Sequence, residues 1–179
     1  MGQGSSVQPS TADLRQELEA SRTILMDAIA GLDEESFRAR PAPSEWTAAE
    51  VLAHLLHIEG VQAERVHAAL AQVDFVATVI TEEQCHEQAK LAQRMPVPQI
   101  LHGLLARRRD TLRLLEGLSQ QQLARSFQHP ERGELMVGDV FQRIAKHEEE
   151  HAAQIRALRD PAAAPASQPQ GDEERAKRR

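Results

Sequence analysis

Apolar residues recur along this chain at the three-and-four spacing of helices, in four separate stretches. Leu14, Leu18, Leu25, Ile29 and Leu32 predict a first helix over 11–31. Ser10 or Thr11 can cap it, and Gly31 can stop it. Thr47-Ala48-Ala49-Glu50 reads as a capping box. It opens a second helix to residue 72, with Val51, Leu55, Ile58, Gln62, Val66, Ala69 and Val73 on one face. Ile100, Leu101, Leu104, Leu105, Leu112, Leu115 and Leu118 mark a third long helix over 97–117. Val137, Val140, Ile144, Ile155 and Leu158 mark the last, over 137–159. A shorter helix at 81–94 precedes Pro96, and 119–123 reads as a cap turn. Arg38–Pro43 and Gln128–Gly133 read as loops, and no segment alternates convincingly with the period of a strand. Four amphipathic helices without strands predict an all-α, four-helix bundle.

The flanks do not continue the pattern. Residues 1–10 are rich in Gly, Ser, Gln and Pro, and 161–179 run from Pro/Ala/Gln into mixed charge. Both are expected to be disordered, which leaves one bundle domain over 11–160. The first residues match a loose myristoylation pattern but lack the basic and apolar regions of a signal peptide. A polar leader is the plainer reading.

Composition and charge narrow the function classes. Hydrophobic residues make up 41% of the 179, enough for a core, and Leu and Ala favour helix. The net charge of −6 offers no nucleic-acid surface, and Arg107-Arg108-Arg109 is expected to be a solvated helix face. No apolar run is long enough to span a membrane. Cys85 is the lone cysteine, so no internal disulfide can form, which fits a cytoplasmic protein. An ordinary thiol is its plainer reading and a catalytic one the alternative.

The chemistry concentrates in His147-Glu148-Glu149-Glu150-His151. On a helix these two histidines lie about 40° apart and within the apolar stripe, not opposite it. Glu149 falls on the solvent side, Glu148 at the edge of the stripe, and the three-Glu run as a whole reads as a solvated face. Two imidazoles aimed at a core need partners, and one metal ion would satisfy both; backbone, water or each other are the alternative. On the second helix His54 sits at the edge of the apolar face while His67 should face water. His86, His102 and His129 have no comparable support. By elimination His54, His147 and His151 are the three that can converge, with a fourth position left for water or substrate. Imidazoles suit zinc, nickel, iron and copper alike.

The segment Pro43–Leu55, with Trp46, Glu50, His54 and Leu55, resembles the Trp-Ser-x-x-Glu-x-x-x-His-Leu segment of DinB-like proteins. His147-x-x-x-His151-x-x-Gln154-Ile155 resembles the second metal motif of that family. The resemblance implies a four-helix bundle with a divalent metal, most often zinc or nickel, on His54, His147 and His151. It also implies a homodimer, a small-molecule substrate, and either thiol-dependent S-transfer with a low-molecular-weight thiol cosubstrate or metal-dependent hydrolysis. Trp46 resembles the tryptophan that packs near the family's site, although a helix-start anchor explains it as well.

Three rivals stand beside this reading. His147–His151 spells H-E-x-x-H, which would make Glu148 the general base of a metalloprotease. No downstream third ligand and no edge strand support it. Glu64-x-x-His67 and Glu148-x-x-His151 match a di-iron bundle, but Glu64 and His67 point away from the core face. A non-enzymatic helical interaction module with incidental histidines is the third.

Overall fold

The computed structural model describes residues 9–159. The leader, apart from Pro9 and Ser10, and the tail from 160 onward lie outside the described residues. Seven helices and one hairpin follow in order: α1 (Thr11–Ile29), α2 (Glu34–Arg38), α3 (Ala48–Ala71), α4 (Glu82–Ala92), α5 (Val97–Glu116), α6 (Gln120–Leu123), β1 (Ser126–His129), β2 (Gly133–Met136) and α7 (Val137–Arg159). The four long helices are α1, α3, α5 and α7. Each packs on two others, in the ring α1–α7–α3–α5, which closes a four-helix bundle.

Local chemistry sets the helix starts. Ser10 caps α1 and Thr47 caps α3, each in a reciprocal box, with Asp13 and Glu50 reaching back to the cap nitrogens. Thr81–Gln84 and Ser119–Gln122 repeat the device at α4 and α6. α1 ends at Ile29, and Gly31 then takes φ +78°, a conformation glycine adopts without steric cost.

Two elements depart from the expectation. α2 is a five-residue helix capped by Asp33, which buries Phe37 alone. The segment expected to loop at 128–133 belongs to an antiparallel hairpin in which Phe127 pairs with Leu135 and His129 with Gly133. Its turn, Pro130–Arg132, is followed by Gly133 at φ +75°, the left-handed residue of a short hairpin loop. A parallel bridge between Val76 and Gln128 ties the α3–α4 connection to the hairpin. Both elements are too short to show a period. Two expected core positions also fail: Val73 lies beyond the end of α3 and Leu105 faces out.

The core falls into two apolar clusters with a polar layer between them. One contains Leu25, Val51, Leu52, Ile100, Leu104 and Ile155. The other contains Leu14, Leu18, Val66, Leu115, Phe127, Val140 and Phe141. Between the two, every long helix contributes a buried charged residue: Arg22 on α1, Glu59 on α3, Arg108 on α5 and Glu148 on α7.

Candidate metal centre

α3 and α7 lie against each other, which sets His54 opposite His147 and His151. His54 Nε2 is 3.3 Å from His147 Nε2, and His147 Nε2 is 3.0 Å from His151 Nε2. One ring nitrogen from each of the three falls within 4.8 Å of the others, the one such cluster of possible metal ligands among the described residues. His54 and His151 are buried and His147 nearly so. The three histidines singled out in the sequence are therefore brought together.

Three ring nitrogens at this spacing make a candidate cation site. Burial, followed by the neighbouring His151 and His147, lowers the His54 pKa to about 3. Burial and then His151 do the same to His147, also to about 3. Burial lowers His151 too, partly offset by its bond to Gln154. All three are thus neutral at pH 7, the form that coordinates metal. His151 Nδ1 lies 2.7 Å from Gln154 Oε1. The amide oxygen can only accept, so the proton sits on Nδ1 and Nε2 presents a lone pair toward the cluster. This is the outer bond that fixes tautomer and ring orientation in metal-ligating histidines. His54 has no such bond, since its Nδ1 is buried without a partner. Its ring is held by packing instead. The Trp46 ring is centred 4.9 Å from that of His54 and lies nearly parallel to that of His151 at 6.5 Å.

Two cavities open on the cluster and share His54, Ile80, Cys85 and His147. One, of about 520 Å³, is lined by Trp46, His86, His151 and Gln154. The other, of about 420 Å³, is lined by Arg65, His129, Arg132 and Arg143. His86 and His129 thus belong to the surroundings of the site, which their sequence positions did not suggest, while His102 is exposed. Cys85 reaches both cavities, but burial and then Glu82 raise its pKa, so it is a thiol rather than a thiolate.

Glu148 corrects the reading of the three-Glu run. Glu149 and Glu150 are exposed, but Glu148 is buried. Its Oε2 accepts from Ser21 Oγ at 2.6 Å and Arg108 Nη2 at 2.9 Å. Its Oε1 lies 2.7 Å from Arg22 Nε, a charge contact off the hydrogen-bond line. Glu59 completes the quartet, bonded to Arg108 Nε at 2.8 Å and Arg22 Nη2 at 3.0 Å. Arg108, expected on a solvated face, is buried; it also donates to Leu18 O. One charged group from each long helix meets here, two of each sign. Glu148 lines neither of these cavities; it meets His147 only across a void of about 10 Å³, and both its oxygens are engaged by Ser21, Arg108 and Arg22, so the H-E-x-x-H pattern supplies no free general base. Glu64 and His67 are exposed, which removes the second half of a di-iron site.

The sequence profile of the DinB superfamily matches residues 17–155. The chain belongs to the DinB superfamily. A Bacillus cereus protein named "Putative metal-dependent hydrolase" is 27% identical over 144 residues, covering 80% of this chain and 82% of the relative. Among solved structures, YfiT from Bacillus subtilis superposes with a TM-score of 0.74 at 19% identity, covering 92% of this chain and 94% of that one. That protein is described as a "probable metal-dependent hydrolase with an unusual four-helix bundle topology". A mycothiol-dependent maleylpyruvate isomerase superposes with a TM-score of 0.66 at 11% identity, covering 82% of this chain and 63% of that one. At these identities the structural likenesses bear on the fold. Among the described residues, no helix is long and apolar enough to cross a membrane.

Proposed function

We propose that His54, His147 and His151 hold one divalent metal ion, zinc or nickel, and that the protein is a metal-dependent enzyme acting on a small molecule. The observation that carries this is the facing of three neutral imidazoles, one with its proton fixed on the far nitrogen by Gln154. Without an ion the three rings satisfy one another only in part, through Nε2 contacts of 3.0 and 3.3 Å, and a cation would take a lone pair from each. Three histidine ligands are the number found in open, catalytic zinc sites. When bound, such an ion acts as a Lewis acid and lowers the pKa of a coordinated water or thiol toward neutrality.

The chain's own residues do the rest. Gln154 orients His151, and Trp46 packs on His54 and His151. The cavities on either side give substrate two routes to the histidines. Hydrolysis is the first reading, supported by the name of the Bacillus cereus relative. Thiol-dependent S-transfer is the second, favoured by the two cavities, which could seat a low-molecular-weight thiol and its electrophile on opposite sides. Glu148 takes no part in either. A homodimer in the cytoplasm completes the proposal, and light scattering tests the first half of that.

Elemental analysis of the purified protein beside His54→Ala tests the site. One divalent ion per chain in the wild type, and its loss in the variant, is the expected result. A wild-type protein that takes up no metal after reconstitution rejects the proposal in favour of a helical interaction module.

A further inference from the structure

The chain carries a net charge of −6, yet one wall of the cavity beside His147 is cationic. Arg65, Arg132, Arg143 and Lys146 line it, against two carboxylates, Glu131 and Glu150. Glu150 lies 3.9 Å from Lys146 on the exposed rim. The three arginines come from three elements: Arg65 from α3, Arg132 from the hairpin turn and Arg143 from α7. Arg65 is buried and bonds only neutral acceptors, Gln62 Oε1 and the Thr78 carbonyl, both at 2.9 Å. Among the described residues, none of the three arginines has a carboxylate oxygen within the 4.0 Å of an ion pair.

The contrast with the central quartet is informative. There each buried arginine faces two glutamates. Here three arginines line one cavity, near enough for their charges to repel. Burial and then repulsion from Arg143 and Arg132 lower the Arg65 pKa, and burial and then Arg132 lower that of Arg143. Burial, followed by Arg65 and Arg132, lowers His129 as well, and its Nδ1 accepts from the Glu131 backbone N–H. Guanidiniums that outnumber the carboxylates of their cavity, none of them held in an ion pair, suit a carboxylate or phosphate, whose oxygens a guanidinium fork can bind two at a time. At about 420 Å³ the cavity has the size of a small-molecule site.

We propose that this cavity binds the anionic group of the substrate, a carboxylate or a phosphate, on Arg143 and Arg132 with Arg65 behind them. The remainder of the substrate then lies along Ile144 and Ile58 toward His54 and His147, which line the same cavity. The substrate class is therefore a small anionic molecule whose charged end sits away from the bond that reacts. This inference rests on the histidine cluster being the reaction centre, but anion binding itself does not require the metal.

Calorimetric titration with inorganic phosphate and, separately, malonate tests it, in metal-free and zinc-loaded full-length protein at low ionic strength. Saturable binding of at least one anion to the metal-free protein is expected. Arg143→Ala and Arg132→Ala should each weaken it by roughly tenfold or more, the worth of a charge-assisted hydrogen bond, while leaving zinc stoichiometry unchanged. Arg132 is exposed on a turn, so its variant folds as the wild type does. Preference for phosphate over malonate assigns a phosphorylated substrate, and the reverse a carboxylate. If neither anion binds saturably, or if binding is the same in wild type and both variants, the inference is overturned and the metal site stands. If the anion binds as expected but no metal is taken up, the metal site falls and the anion cavity stands.

Discussion

Replacing Glu148 with Gln separates the two roles its position invites. In H-E-x-x-H chemistry the glutamate is a general base, worth about 10²–10⁴ in rate and nothing in stability. In this fold it is one of two anions balancing Arg22 and Arg108 between the two halves of the core. Its side chain is 2% exposed, and that of Arg108 6%. Burial works against the charge of both arginines. The two glutamates outweigh it at Arg108, whose pKa is raised, but not at Arg22, where burial and then Arg108 prevail. Glu148→Gln leaves two buried guanidiniums against Glu59 alone. Removing one partner of a buried ion pair costs about 3–5 kcal/mol. The amide oxygen of Gln can still accept from Ser21 or Arg108, which places the cost near ~3 kcal/mol.

For a domain of this size each kcal/mol moves the melting temperature by about 2–4 °C, so a fall of about 6–12 °C is expected. The assay is a thermal melt of the metal-loaded variant, with metal content and hydrolysis of a peptide measured below the transition. Metal stoichiometry should match the wild type. The pair Arg108→Met with Glu148→Met should be more stable than either single change, because Arg22 and Glu59 then remain as a balanced pair. A Glu148→Gln protein that melts with the wild type but loses hydrolysis would refute the structural assignment and restore the glutamate as a base.

Three further outcomes follow from the site and its supports. Gln154→Leu should weaken metal affinity about 10–100-fold by freeing the His151 ring, read by competition with a chelating dye; unchanged affinity would show that Gln154 does not set the tautomer. In metal-free protein the depressed His54 and His147 pKa values mean that the unfolded chain takes up protons first as pH falls below about 6.5, and the folded chain only near about 3. Stability should therefore be full above that window and fall within it by up to about 1.4 kcal/mol per pH unit per histidine, and melts that do not shift between about pH 7 and 5.5 would contradict it. Thr47→Ala removes the acceptor for the Glu50 N–H at 3.2 Å and should cost about 1 kcal/mol, or about 2–4 °C in melting, with no change in metal content.

The long helices and the three histidines were legible because both follow from one rule, the helical period. A stripe of Leu, Val and Ile fixes the inward face, and any histidine in phase with it must point inward as well. The capping box at Thr47 marked where the phase of α3 begins, and Ser10, one of two candidate caps, is the one that starts α1. What escaped has no period. α2 spans five residues and each hairpin strand four, and the strand SFQH buries only alternate residues, two in all. Arg108 escaped for a different reason. Taken with Arg107 and Arg109 it looks like a charge run, and charge runs are commonly solvated. Its true phase is visible only against Ile100, Leu104 and Leu115, where it falls on the inner stripe of α5. The cationic cavity could not be seen at all, since Arg65, Arg132 and Arg143 come from three elements.

The H-E-x-x-H pattern itself is a product of two packing requirements meeting on α7. His147 and His151, four apart, must face α3 to meet His54. Glu148, one position and about 100° further round, must face α1 and α5 to meet Arg22 and Arg108. A helix that lies against α3 on one side and α1 on the other puts these demands on adjacent residues. In a zinc protease the same five letters require the glutamate to look into the cleft shared with the metal. Here the direction of Glu148 is fixed by ion pairs to other helices, and Ser21 adds a third bond from α1. The same spacing thus serves two layers: a histidine cluster opening to the cavities, and beside it a charged layer that locks all four helices in register. A change in either layer should reach the other along α7, through His147 and Glu148, and along α3, which carries both His54 and Glu59.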